Sequence, residues 1–92
     1  MAVKITRAHN LEPDEVDARF ETGLLELAND NGLSVIEKSP RRMKMAGMGV
    51  TGEITWDDAE VRVQAHAPFA YSGIDTQVQS LIEAALSKIC ND

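Results

Sequence analysis

The side chains of this sequence that could do covalent or metal chemistry are few: His9, His66 and Cys90, with the paired acids Asp57 and Asp58. Nucleophilic catalysis needs a hydroxyl or thiol held beside a base, and a metal needs ligands at a recognisable spacing. One cysteine and two widely separated histidines supply no such spacing, and no Gly-x-Ser-x-Gly turn is present. His9 stands where a ring can hydrogen-bond a loop or a helix end. His66 follows Arg62 and Gln64 along the polar side of a strand, a common place for a solvated histidine. Asp57-Asp58 reads as a turn. Cys90 closes an amphipathic stretch as a small buried or half-buried hydrophobe, and an unpaired cysteine fits a reducing compartment. The expectation is a non-enzymatic protein without metal or cofactor.

Binding is the alternative to catalysis. Met43, Met45 and Met48 fall among Gly47, Gly49 and Gly52. Methionine adapts its shape, so the group can fill the core beneath helices; with Trp56 and Phe69 it could instead wall a pocket for an acyl chain. Gly47-Met48-Gly49-Val50 is no phosphate loop, lacking both the following helix and the Lys-Ser/Thr pair. Lys38, Arg41, Arg42 and Lys44 make a basic hairpin around Pro40, most simply a solvated one, though able to meet an acidic partner such as the first helix of another copy. That helix carries Glu12, Asp14, Glu15, Asp17, Glu21, Glu26 and Asp30. Nothing in their spacing converges on one cleft, so a solvated face is the simpler reading. The residues singled out for ligand or partner contact are His9, Met43, Met45, Met48, Trp56, Arg62 and His66.

These groups must be positioned by short elements. Residues 2–7 alternate, with Val3 and Ile5 on one side of a strand. Asn10 is a predicted cap and Pro13 a first-turn proline for a helix running from Asp14 to Asn31, ended by Asn31-Gly32. Its stripe is Val16, Phe20, Leu24 and Leu27. Strands are predicted over Leu33–Lys38, Arg42–Ala46, Val50–Trp56 and Val61–Ala67, each with one apolar and one polar face. Pro68 ends the sheet. Ser72 and Asp75 resemble a capping box, and Ile74, Val78, Leu81, Ile82, Ala85, Leu86 and Ile89 recur at helical spacing as the stripe of a final helix. The predicted fold is α+β, a two-layer sandwich of order β-α-β-β-β-β-α, its antiparallel sheet carrying two helices packed on one face.

Ninety-two residues, 43% of them hydrophobic, allow one domain, 1–92, with a thin core. A net charge of -6 argues against nucleic acid as a partner, because phosphate contacts need a positive field. No apolar run approaches the roughly twenty residues of a membrane span, so membrane insertion is not expected. No secretory leader is recognisable, and a cytoplasmic protein is the default reading. The polar sheet face, with Lys4, Thr6, Thr51, Glu53, Thr55, Arg62, Gln64 and His66, is the surface on which a second copy could form a homodimer.

The strand ending in His9-Asn10-Leu11, the acidic helix, the Gly49-Val50-Thr51-Gly52-Glu53-Ile54 strand, and Asp57-Asp58 followed by Val61-Arg62-Val63 resemble the polyhydroxyalkanoic acid system proteins. These are short bacterial proteins whose genes are found with those for making or using polyhydroxyalkanoate storage granules. The likeness spans residues 3–90 and departs from the pattern at Pro40 and the Met-rich strand. It implies an accessory protein at the granule surface, with the granule or its proteins as partners. It also implies His9 as a loop anchor, Leu11 as an apolar plug, and Gly49 and Gly52 as two close backbone approaches.

Overall fold

Period-two alternation broken by turn residues produces five strands, and the two helical stripes produce two helices. The computed structural model describes residues 2–47, 49–66 and 74–90. The elements are β1 (Ala2–Ala8), α1 (Val16–Asp30), β2 (Ser34–Ser39), β3 (Arg42–Gly47), β4 (Val50–Trp56), β5 (Glu60–His66) and α2 (Ile74–Ile89). One antiparallel sheet has the spatial order β1-β5-β4-β3-β2. The predicted α+β class and element order hold. Met48, Pro68, Phe69 and Ser72 lie outside the described residues, and with them the proposed capping box.

Register sorts the sheet into two faces. Met43 pairs with Ile54, which pairs with Val63, and Met45 pairs with Gly52, which pairs with Ala65. These positions face the helices, where Val16, Phe20, Leu24 and Ala28 of α1 and Leu86, Ile89 and Cys90 at the end of α2 complete one buried cluster. The other face carries cross-strand rows such as Lys4–Gln64–Glu53–Lys44–Glu37 and Thr6–Arg62–Thr55–Arg42–Ser39. A bulge between Val35 and Glu37 interrupts β2, the strand at one edge of the sheet, and Ile36 is 55% exposed. Bulges make a sheet edge a poor template for another strand.

Helix α1 starts later than its sequence signals predict. Pro13-Asp14-Glu15 forms a turn closed by the Glu15 N–H on Glu12 O at 2.8 Å, and Asn10 does not cap the helix. Glu15 occupies the cap position without a side-chain bond. The His9 N–H is held by Ala59 O at 2.9 Å, which extends the β1–β5 pairing one residue past Ala8, and the Glu12 carbonyl takes both the Glu15 and the Val16 N–H. At the other end the predicted stop is present: Gly32 has φ 68°, and the Leu33 N–H reaches back to Ala28 O at 2.8 Å. A left-handed glycine with this long return bond is the usual way to satisfy the last carbonyls of a helix.

The helix–helix contact rests on a residue without a side chain. A Cβ on Gly23, in the middle of α1, would overlap Ile89 Cγ1. Arg19 Nε donates to Ile89 O at 3.2 Å one turn away, so the end of α2 is fixed by packing and by a hydrogen bond. Leu81 departs from its predicted core position: it is 39% exposed, whereas Leu86 is buried. Among the described stripe residues, Leu86 and Ile89 are buried and Ile82 packs half-buried against the core, while the side chains of Ile74 and Val78 lie outside the description. Gly23→Ala should therefore lower stability despite the roughly 1 kcal/mol that alanine normally contributes in a helix. Leu86→Ala should cost about 2–5 kcal/mol and Leu81→Ala much less. Chemical denaturation of the three variants would show the order; equal losses at 81 and 86 would contradict the seam described here.

Candidate functional site

The residues singled out by sequence do not gather in one place. His9, Trp56 and Arg62 converge at one end of the sheet, around Asp57. Asp57 Oδ1 accepts the N–H groups of Ala59 and Glu60, both at 2.8 Å, making the β4–β5 turn as its sequence predicted. Arg62 adds a contact from Nη2 to Asp57 Oδ2 at 3.4 Å and also pairs with Glu60. The His9 ring is 7% exposed; its Nδ1 accepts the Leu11 N–H at 3.2 Å, which places the proton on Nε2, donating to Asp57 O at 2.8 Å. Both ring nitrogens are thus engaged with backbone, the geometry of a loop anchor. Leu11 packs half-buried against the core.

Beneath this turn the aromatic groups stack. Phe20 lies against Trp56 with centroids 5.3 Å apart and meets the His9 ring edge-on at 5.4 Å. The Trp56 indole N–H donates to Asp17 Oδ1 at 2.9 Å, and Arg41 Nε donates to the same oxygen at 3.1 Å while its Nη2 reaches Asp58 at 2.8 Å. Arg41 sits at φ 59°, a conformation that costs a non-glycine residue about 1–2 kcal/mol. Its two carboxylate partners hold it there. The basic hairpin therefore meets the acidic helix of its own chain through Arg41–Asp17 and through Lys38, which lies 3.9 Å from Glu21, while Arg42 pairs with Glu53 of β4 at 2.9 Å. An acidic partner for this hairpin is already present within the molecule.

The methionines divide. Met43 is fully buried core, and Met45 borders a cavity of about 240 Å³ between the helices and the sheet. Its walls include Leu24, Leu27, Leu33, Val50, Val63 and Leu86, with Gly52 in the floor. Trp56 is not part of it. The backbone approaches expected at Gly49 and Gly52 are not there: a Cβ at Gly49 meets nothing within 4 Å, and one at Gly52 meets only Gln64 O at 3.9 Å. Gly49 is required by its φ of 77° in the β3–β4 turn. The close approaches instead fall at Gly23 and at Gly47, whose Cβ would stand 2.9 Å from Gly32 O. Sequence alone could flag neither, because a glycine's clash partner is set by the fold.

His66 and Arg62 lie on the open face. There Lys4, Lys44, Gln64 and His66 surround Glu53 at a shallow hollow of about 270 Å³. Cys90 is buried, which pushes its thiol pKa up and away from thiolate chemistry. Among the described residues, no group of three or more His, Cys, Asp or Glu side chains is placed to hold a metal ion, and no helix is long and apolar enough to cross a membrane.

Two measurements test the turn. His9→Ala should destabilise by about 1–3 kcal/mol, because the Asp57 carbonyl and the Leu11 N–H lose their partner. The two backbone N–H groups hold the Asp57 carboxyl below its ordinary pKa, with Arg62 and His9 adding to them. Asp57 therefore contributes stability above the unfolded value of about 3.9, and loses it as pH falls through the lower folded value. Asp57→Ala should be less stable than the parent near pH 6, with the gap closing in acid. A gap that persists undiminished to pH 2 would rule out the carboxylate as its source.

Residues 3–89 match the family described as putative polyhydroxyalkanoic acid system protein. No curated protein matches the chain. Among solved structures, the crystal structure of a protein from Thermus thermophilus is similar at 16% identity and a TM-score of 0.39, covering 97% of this chain and 91% of that one.

Proposed function

The chain belongs to the putative polyhydroxyalkanoic acid system protein family, and from that premise we propose that it is a non-enzymatic accessory of polyhydroxyalkanoate granules, binding the granule or its proteins as an intact folded domain in the bacterial cytoplasm. The attachment of α2 carries the second half of this reading. Leu86, Ile89 and Cys90 are buried, Arg19 holds the Ile89 carbonyl, and Arg7 Nη1 donates to Ser87 Oγ at 3.2 Å. Burying a large apolar side chain is worth about 1.5–3 kcal/mol, so peeling this helix off to coat a polymer would remove much of what holds the domain together. The non-enzymatic reading is supported by the engagement of both His9 ring nitrogens and by the raised pKa of Cys90. An acyl-binding role has one specific observation in its favour, the apolar cavity beside Met45.

Pairing with a second copy through the open sheet face belongs to the same proposal. The row Lys4–Gln64–Glu53–Lys44–Glu37 alternates in charge, so a copy related by a two-fold axis can oppose lysine to glutamate. Light scattering behind size exclusion should give a dimer for the parent and a monomer for Lys44→Glu, which concentrates acid in that row. A monomeric parent at all concentrations would remove the dimer.

Sedimentation of the purified protein with isolated granules, with and without their native surface proteins, tests the main reading. Co-sedimentation with coated granules alone indicates a protein partner, and with bare polymer a direct contact. Absence from both pellets would sink the granule role.

A further inference from the structure

The described walls of the cavity between the helices and the sheet are apolar with one exception, Asn31 at the end of α1, and include no charged side chain. Its mouth is defined by residues it shares with the open groove between α1 and α2: Leu27, Asn31, Leu81 and Ala85. The exposure of Leu81 is explained by this position. An apolar residue at a rim is wetted when the site is empty and covered when a chain passes across it. Glu26 and Asp30 line the outer groove on α1, with Arg19 and Lys88 also bordering it. Arg19 is engaged by the Ile89 carbonyl.

We propose that this cavity binds the medium-length alkyl chain of an uncharged aliphatic ester. Size sets the length: at about 30 Å³ per methylene, close to the share of a water molecule, the cavity takes about eight carbons. Lining sets the chemistry. A carboxylate carried inside would find no cation, and burying a charge without a partner is strongly unfavourable; the outer groove sets Glu26 and Asp30 against Lys88 and an Arg19 already engaged by Ile89 O, so it offers no net positive field. An ester or hydroxyl at the mouth meets Asn31 instead. One Asn31 side-chain N–H already donates to Leu27 O at 2.8 Å, which leaves the second N–H and the carboxamide oxygen for the ligand. This inference deepens the accessory role and rests on it only for the source of the ester, whether a free molecule or the polyester itself.

Gly52 provides the test. It lies in β4 between Met45 and Ala65, on the face of the sheet that floors the cavity. A Cβ there meets nothing closer than 3.9 Å. Gly52→Val therefore places methyl groups in the cavity without a backbone clash, and valine suits a strand. The full-length protein would be titrated with methyl octanoate, sodium octanoate and methyl acetate, followed by amide NMR. Methyl octanoate should shift the amides of Gly52, Ala65 and Ala85 saturably, with octanoate at least tenfold weaker and methyl acetate without effect. Gly52→Val should keep or raise Tm and lose at least tenfold in affinity for methyl octanoate.

The inference is overturned by unsaturable shifts with methyl octanoate, by equal binding to a folded Gly52→Val, or by octanoate binding as tightly as its ester. Sedimentation of Gly52→Val with bare granules then separates the two sources. Loss from the pellet identifies the polyester; retention identifies a free ester. Ester binding by a parent protein that sediments with no granules would leave the site standing and remove the granule role.

Discussion

The structure depends on a single close approach between two helices. Gly23 lets the end of α2 settle onto the middle of α1, with Ile89 occupying the space a side chain would take. That seam decides which part of the α2 stripe is buried. Leu86, Ile89 and Cys90 join Phe20 and Leu24 in the core, while Leu81, nearer the start of the helix, remains at a rim. A helix interior glycine is costly in isolation. Here the cost is offset by interhelical packing that a larger residue would prevent.

The two ends of the molecule are consequently different materials. Around Phe20 the space is filled by the Trp56 and His9 rings, and the surrounding polar groups are tied by Asp17 and Asp57. This end holds the β2–β3 hairpin through Arg41, in a backbone conformation that the ion pairs to Asp17 and Asp58 sustain. Near Leu27 and Leu81 the same two layers leave an apolar cavity that opens onto the groove between α1 and α2. A rigid, satisfied end and a hollow, apolar end suit a binding protein. The tight end keeps the layers in register, and the other offers the space that the ester-binding proposal requires.

The open sheet face adds a second kind of surface. Its charges are balanced across strands, and Arg42 spans Glu37 and Glu53. Exposed pairs of this type contribute little to stability, with a median near 0–1 kcal/mol, but they orient partners. Cavity and open face lie on opposite sides of the sheet. Occupancy of one and docking through the other are therefore sterically compatible within the accessory role proposed for this family member.

Much of the fold is legible in the order of residues. Alternation of Met43 and Met45, of Val61 and Val63, and the helical spacing of Val16, Phe20 and Leu24 identify strands, helices and their buried sides, because period alone determines which residues share a face. Asp57-Asp58 and Asn31-Gly32 identify turns for equally local reasons. The start of α1 is not legible in this way, because Asn10 and Pro13 are cap signals that say nothing of the separate turn closed by the Glu15 N–H on Glu12 O ahead of the helix. The site is less legible still. Met45 and Gly52 stand out by type, but Leu27, Leu33, Val63 and Leu81 look in sequence like ordinary core. They form a wall only because the Gly23–Ile89 contact brings the helices together at one end and leaves apolar space at the other. Local spacing determines faces; the distance between packed layers, and so the presence of a cavity, is a property of tertiary contacts alone.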